Sequence, residues 1–400
     1  MHPPDLDLLL TNILGAHPNI FDLVFVVGRP MQAELDGELR EVRGHAAIRK
    51  LTPFNTERVA LTILGENQRL LRELLTHGTC DCTYQLANGT RFRVNIFRQC
   101  GQYGIVLRRS QSELPTLASQ GLGEVFAQTA QLPHGLVIIA GGAGTGKSAT
   151  LSAIVDEINS TRAAHVITLE EPVEFIHPHR KATITQRELG VDFANFADGL
   201  RAAMRQAPKV IMLTDVDDRA ALEQALIAAE TGHLVLLAMR AHDVDQAITK
   251  MVNLFDPSEH TRTRLRIMET LRLLSTQRLV PRNGGGRVLI QEIIGNNLRV
   301  REVIAMGQTE ERSFYELMET NNALGWCTFD QSLAKAHLAG LITEETATLY
   351  ATNRNRLTRY FDEGAKQLGM AAEPALSLRL DKTVPAPAPP QEAFTMRLGV

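Results

Sequence analysis

Residues 141 to 148 read Gly-Gly-Ala-Gly-Thr-Gly-Lys-Ser, which satisfies the pattern Gly-x-x-x-x-Gly-Lys-Ser/Thr. Such a stretch is built for phosphate. Gly141, Gly144 and Gly146 let the backbone wrap close to phosphate oxygens, a following helix start offers unpaired N–H groups, Lys147 supplies charge, and Ser148 can hold Mg²⁺. Gly142, Ala143, Thr145 and Ala149 complete the expected nucleotide-lining segment. The apolar run Leu136 to Ala140 precedes it and a helical pattern follows from Lys147, so the motif lies in the strand–loop–helix context its mechanism requires.

The motif is shared by kinases, GTPases, helicases and transport ATPases, so the elements around it must narrow the choice. After Gly135, apolar strand-like runs at 136–140, 165–169, 209–213 and 233–239 alternate with helical stretches from Lys147, near 195–206 and near 218–230. That alternation predicts an α/β fold with a mostly parallel, doubly wound sheet. Beyond Pro257 the pattern turns helical, apart from 274–280 and 286–294, which predict a hairpin around Gly284, Gly285 and Gly286.

Upstream, residues 21–41 give short strands broken by Gly28-Arg29-Pro30 and Asp36-Gly37, and residues 55–77 read as one helix with Asn55 as its N-cap. Two alternating runs joined at Ala87-Asn88-Gly89 and a third ending at Arg109 follow. The expected division is an α+β domain over 1–112, an ATPase domain with a helical C-terminal part over 113–370, and a disordered Pro/Ala-rich tail over 371–400.

Bulk composition sets limits. A chain of 400 residues with 44% apolar content fills more than one core, and a net charge of -3 with 5% aromatics argues against nucleic-acid binding. The start has no basic segment ahead of its apolar stretch and no run approaches the roughly 18 apolar residues of a membrane span, so a cytoplasmic protein is expected. Cys80, Cys82, Cys100 and Cys327 lack zinc-ligand spacing and read as buried thiols.

The segments HVITLEEPVEFIH, ITQRELGVDF, LRAAMRQAPKVIML and AAETGHLVLLAMRA stand in the order and spacing of the type II/IV secretion ATPases. They resemble specifically the type IV pilus retraction ATPases PilT and PilU. GRPMQAELDGEL, RFRVNIFRQ and the stretch from Thr328 to Leu357 extend the resemblance to about residues 5–360, and QYGIVLRR, RQAPKVI and Asp245-Gln246-Ala247 bring it closer to PilU. The resemblance implies a PAS-like N-terminal domain, a RecA-like core, and ATP with Mg²⁺ bound between them. It also implies a hexamer, either of one chain or mixed with a PilT-type ATPase, acting on an inner-membrane platform protein from the cytoplasmic face of the inner membrane.

Carried over residue by residue, the resemblance assigns Glu170 and Glu171 to the family's acidic box, where the family usually has Glu-Asp. Thr214 and Asp215 fall where the Walker B pattern ends in Gly-Glu, so Asp215 or Glu170 becomes the expected water-activating carboxylate, and Val216-Asp217-Asp218 replace a segment where the family usually carries an arginine before an acid, so that Asp217 reverses a charge. His233 matches the first histidine of the histidine box; Arg240 replaces the second, with His242 two residues on, so either His242 compensates or the sensor is lost. Arg93 and Arg108 match basic residues that reach nucleotide from the N-terminal domain, Arg201 and Arg205 match helix arginines, and Gln186 to Glu188 match an edge loop. Arg301 keeps, and Ala305 loses, the arginines of a helix tied to retraction. These departures leave open a motor subunit with reduced hydrolysis, a non-hydrolysing accessory subunit, and an ATPase of a related secretion system.

Overall fold

The computed structural model describes residues 3–17, 20–35, 38–42, 50–109, 113–308 and 312–367. The Asp36-Gly37 turn and the tail over 371–400 lie outside them.

The first unit runs α1 (Pro3–Ala16), β1 (Asp22–Phe25), β2 (Gln32–Leu35), β3 (Glu38–Glu41), α2 (Pro53–Leu64), α3 (Gln68–His77), β4 (Thr79–Gln85), β5 (Arg91–Gln99) and β6 (Gln102–Arg109). Its strands form one antiparallel sheet in the order β3-β2-β1-β6-β5-β4. Inward-facing Phe92, Val94 and Ile96 alternate along β5 and pack with Leu70 and Leu74 of α3 and Leu6 and Leu10 of α1. Two helices replace the single one expected over 55–77. Thr52 is the N-cap of α2 and Asn55 sits at N3 in a reciprocal capping box, while Gly65, at φ 54°, ends that helix and Asn67 caps the next. The N-terminal apolar stretch forms α1, which buries Leu6, Leu10 and Ile13 and leaves Leu8 exposed.

The second unit continues with α4 (Glu124–Ala130), β7 (Gly135–Gly141), α5 (Lys147–Thr161), β8 (His165–Glu170), β9 (Thr183–Glu188), α6 (Phe196–Ala203), β10 (Val210–Leu213), α7 (Arg219–Glu230), β11 (Leu234–Met239), α8 (Val244–Asn253) and α9 (His260–Thr270). Then come β12 (Leu271–Pro281), β13 (Arg287–Gly295), α10 (Leu298–Met306), α11 (Phe314–Thr320), α12 (Phe329–Leu338), α13 (Glu344–Tyr350) and α14 (Arg354–Gln367). Seven strands order as β13-β12-β7-β11-β10-β8-β9, parallel except for β13. Along β7, Leu136, Ile138 and Ala140 enter the core built with α6 to α9, while Val137 and Ile139 enter the core built with α4 and α5. Two buried faces explain why the strand reads as unbroken apolar sequence.

Three further details differ from expectation. Residues 183–188 form the edge strand β9 rather than a loop. The hairpin around Gly284 to Gly286 is part of the main sheet, because β12 pairs with β7. The helix expected near 195–206 ends at Ala203 and passes into a 3-10 turn over Met204–Gln206.

Glu188, at the end of β9, ties the two sheets together. Its carboxylate accepts from Thr83 Oγ1 (3.0 Å) on β4 and Arg91 (3.3 Å) on β5, and also from the Val173 amide (3.1 Å). Among the cysteines, Cys80 is buried and its thiol is pushed up to about 11, but Cys100 is exposed, contrary to expectation.

Candidate functional site

Parallel strands deliver their C-terminal ends to one edge of a sheet, and ligands bind there in open α/β folds. The registers Gly141 beside Gln277, Leu213 beside Leu169 and Met239 beside Ala140 bring Gly141, Glu170, Thr214 and Arg240 to that common edge.

The loop after β7 closes tightly. A Cβ at Gly141 would lie 2.4 Å from Thr145 Oγ1 and 2.9 Å from the Gln277 carbonyl oxygen, so only glycine fits. Gly144 and Gly146 take φ 70° and 88°, a region L side chains avoid, and Gly146 is the N-cap of α5. Lys147 Nζ donates to the carbonyls of Gly141 (3.1 Å) and Gly142 (2.7 Å), which places its charge in the concavity of the loop. Burial pushes the Lys147 pKa down, and nearby Asp215 partly opposes that shift. Thr145 Oγ1 donates to the Gly142 carbonyl at 3.0 Å. Gly142, Ala143, Ser148 and Ala149 line the same turn and first helical residues, and all four are at least partly exposed.

The acidic residues divide into two groups. Glu170 is 2% exposed, accepts from Thr168 Oγ1 (2.7 Å) and Gln186 Nε2 (3.0 Å), and is pushed by burial up to about 7. Its carboxylate is shielded from solution and turned toward Thr168 and Gln186. The exposed carboxylates come next. Glu171 is raised by partial burial and then by Asp215, with Arg93 opposing, and its amide donates to Thr214 Oγ1 at 3.1 Å. Glu174 is raised by the protein around it, opposed by the Ser148 hydroxyl that bonds to it and by the charges of Arg93 and Lys147. Sequence reasoning missed Glu174. The signal was available, because Glu171 and Glu174 flank Pro172-Val173, and buried Val173 and Phe175 alternate with outward Glu174.

Asp215 follows β10 in the left-handed region, at φ 54°. A non-glycine residue there is uncommon, though Asp adopts it more readily than most. Arg240, one residue beyond β11, donates from Nε to Asp215 Oδ1 at 3.1 Å and from a terminal nitrogen to Oδ2. Arg240 and His242 are both exposed and flank buried Ala241, just past the end of the strand at Met239. His242 turns into the start of α8, its amide bonded to Gln246 Oε1 at 2.6 Å.

His233 does not join this group. It precedes β11, whose first residue pairs with Gly135, and its Nδ1 faces the Ala228 carbonyl at 3.0 Å. The six residues of β11 separate it from Arg240 by roughly 20 Å. In this chain its ring contacts the turn that ends α7 and not the phosphate loop.

From the N-terminal sheet, Arg93 and Arg108 are cross-strand partners on β5 and β6. Arg93 acts electrostatically on Glu171 and Glu174, whereas Arg108 is held bidentately by Asp22, at 2.8 and 2.7 Å. The structure therefore turns Arg93, and not Arg108, toward the acidic box. Arg201 pairs with Asp198 at 2.9 Å on α6, and Arg205 lies in the 3-10 turn rather than on the same helix face.

The donor set suits Mg²⁺. Ser148, Glu174, Glu171 and Asp215 supply hard oxygens, and no cluster of three or more His, Cys, Asp or Glu side chains among the described residues forms a dedicated cage. Mg²⁺ is commonly held by one or two protein oxygens, waters and nucleotide phosphates.

A family profile described as "Type II/IV secretion system protein" matches residues 79–360. PilU, a type IV pilus ATPase of Pseudomonas aeruginosa, is 33% identical over 84% of this chain and 86% of its own length. PilT, the retraction ATPase of the same organism, is 32% identical over 82% of this chain and 92% of its own. Among solved structures, the pilus retraction motor PilT with bound ADP superposes with a TM-score of 0.80 at 31% identity, covering 88% of this chain and 99% of that one. The ATPase DotB of Legionella pneumophila superposes at 0.75, with 27% identity over 87% of this chain and 95% of that one.

Proposed function

The chain belongs to the type II/IV secretion ATPase family, and from that membership we propose that it is an ATP-binding subunit of a type IV pilus retraction motor, of the PilT and PilU kind. One observation carries the nucleotide assignment: the glycine loop, Lys147, Glu174, Asp215 and Arg240 all meet at the C-terminal edge of one sheet. Retraction is favoured over a related secretion machine because PilT superposes at a higher TM-score and identity than DotB, and the type II secretion system E proteins are matched over less than half of their length.

In this reading, amides of the loop from Gly142 to Lys147 cradle the phosphates, and Lys147 leaves the loop carbonyls to neutralise phosphate oxygens. Ser148 and Glu174 would hold Mg²⁺, which supplies charge neutralisation on the terminal phosphates when bound. Asp215 or Glu174 orients the attacking water, and Arg93 approaches from the N-terminal sheet. We read residues 1–112 and 113–370 as the two domains that enclose the nucleotide. Hexamer formation, alone or mixed with a PilT-type chain, action on an inner-membrane platform protein and a place at the cytoplasmic face of that membrane belong to the same proposal. No helix among the described residues is long and apolar enough to cross a membrane.

A second reading is favoured by one contact. Arg240 neutralises Asp215, the carboxylate expected to handle water, so the chain binds ATP and serves a competent ring without turning ATP over. Steady-state hydrolysis by the purified oligomer against a Lys147→Ala blank separates the two. Turnover above the blank supports a motor; bound nucleotide with no turnover supports the accessory subunit. Absence of nucleotide binding would overturn both.

A further inference from the structure

The segment after β11, which carries Arg240, is held in place by side chains from three elements. Lys250 of α8 donates to the Arg240 carbonyl at 3.2 Å, Arg278 of β12 donates to the His242 carbonyl at 3.3 Å, and Glu292 of β13 accepts from the Val244 amide at 3.2 Å. Of these, Arg278 also bonds to the C-terminal helices. Its second terminal nitrogen donates to the Tyr350 carbonyl at 3.2 Å, at the end of α13, and its guanidinium lies 3.8 Å from the ring centroid of Phe329, at the start of α12.

Arg278 is also adjacent to the phosphate loop. Its strand neighbour Gln277 pairs with Gly141 and donates to Thr150 Oγ1 of α5 at 2.8 Å. The far end of the strut is firmly seated. Asp330, fully buried beside Phe329, accepts from the Thr352 amide (2.8 Å), the Asn353 amide (3.0 Å) and the Tyr315 hydroxyl (2.8 Å), fixing the chain just after Tyr350.

We propose that Arg278 is a positioning residue that joins the Arg240 segment to helices α12 to α14, so that movement of Arg240 between Asp215 and nucleotide phosphate is transmitted to Tyr350. The inference rests on the nucleotide-site reading above. Its physical basis is the fork of the guanidinium, which holds two backbone carbonyls in fixed relation while stacked on an aromatic face. Coupling requires an element with two arrangements that the ligand biases, and Arg240 supplies it by choosing between carboxylate and phosphate.

The test is amide hydrogen exchange of the full chain, free and with Mg²⁺ plus β,γ-imido-ATP or ADP, in wild type, Arg278→Met and Arg278→Lys, with nucleotide affinity measured in parallel. Wild type should show a several-fold change in exchange over residues 350–357 with the triphosphate and less with ADP. Arg278→Met should bind nucleotide within about threefold of wild type yet lose that change, since the altered group lies outside the phosphate loop. Arg278→Lys keeps charge but has no fork, so a partial response is expected; it also serves if the Met variant does not fold. An undiminished response in a nucleotide-bound Met variant, or none in nucleotide-bound wild type, overturns the strut. Failure of wild type to bind nucleotide overturns the functional reading and the strut with it.

Discussion

Arg240 grips Asp215 through two guanidinium nitrogens across the end of the phosphate loop, although the residues stand 25 apart in sequence. The acid that should face water is thereby matched to a cation that does not titrate in the working range of proteins.

Freeing that carboxylate and lengthening it should raise turnover. Arg240→His combined with Asp215→Glu is expected to increase steady-state hydrolysis by about 10- to 100-fold, because an error of about 1 Å at a reacting group costs on the order of 100-fold. Each single variant should gain less than the pair. Equal rates for wild type and double variant would show that the contact does not limit turnover.

Removing the loop cation should act on binding. Lys147→Ala is expected to weaken nucleotide affinity by about 10- to 100-fold, the range for a lost charge-assisted hydrogen bond. Titration with a fluorescent ADP analogue reads this directly, and unchanged affinity would place the phosphates elsewhere.

Glu292 predicts a pH effect. It is 6% exposed and pushed by burial up to about 8, with Asp243 and Asp330 adding to the rise and the Val244 amide and Arg278 opposing it. The folded state holds this proton while the unfolded chain releases it near the ordinary value of 4.5, so raising pH from about 5 to about 8 removes stability. Glu292→Gln keeps the acceptor for Val244 and should flatten the fall in melting temperature over that window. A wild-type slope retained in the variant would assign the titration to another group.

Glu188→Ala should destabilise the whole molecule by about 3 kcal/mol, because it strands largely buried Arg91 and leaves the Val173 amide without its acceptor. Urea unfolding measures the loss. Glu188→Gln should cost less, and an unmoved midpoint for the alanine variant would mean the sheets are joined by other contacts.

Much of this site was legible because its chemistry is local. The glycine loop, its strand and its helix follow from spacing and periodicity, and the structure places Lys147 in the loop as those signals imply. The separation of the histidine-box positions was not legible in the motif: His233 and Arg240 flank opposite ends of β11, so the strand holds them apart. The Asp215 pairing was hidden because each partner lies beyond the end of a different strand, where alternation no longer dictates direction. Helices α2 and α3 were merged because Leu61, Leu64, Leu70 and Leu74 carry the apolar pattern across Gly65 and Asn67, and only the caps reveal the break.

The seven-stranded sheet is stiff where it matters for chemistry, since β7 is hydrogen-bonded on both flanks by β12 and β11. The N-terminal sheet meets the large sheet at the outer strand β9, through Glu188 and through Arg69 of α3, which packs against Gly190 just beyond that strand. Load passed from the N-terminal unit through these contacts enters the large sheet at β9, which β11, β10 and β8 separate from the strand that carries the phosphate loop.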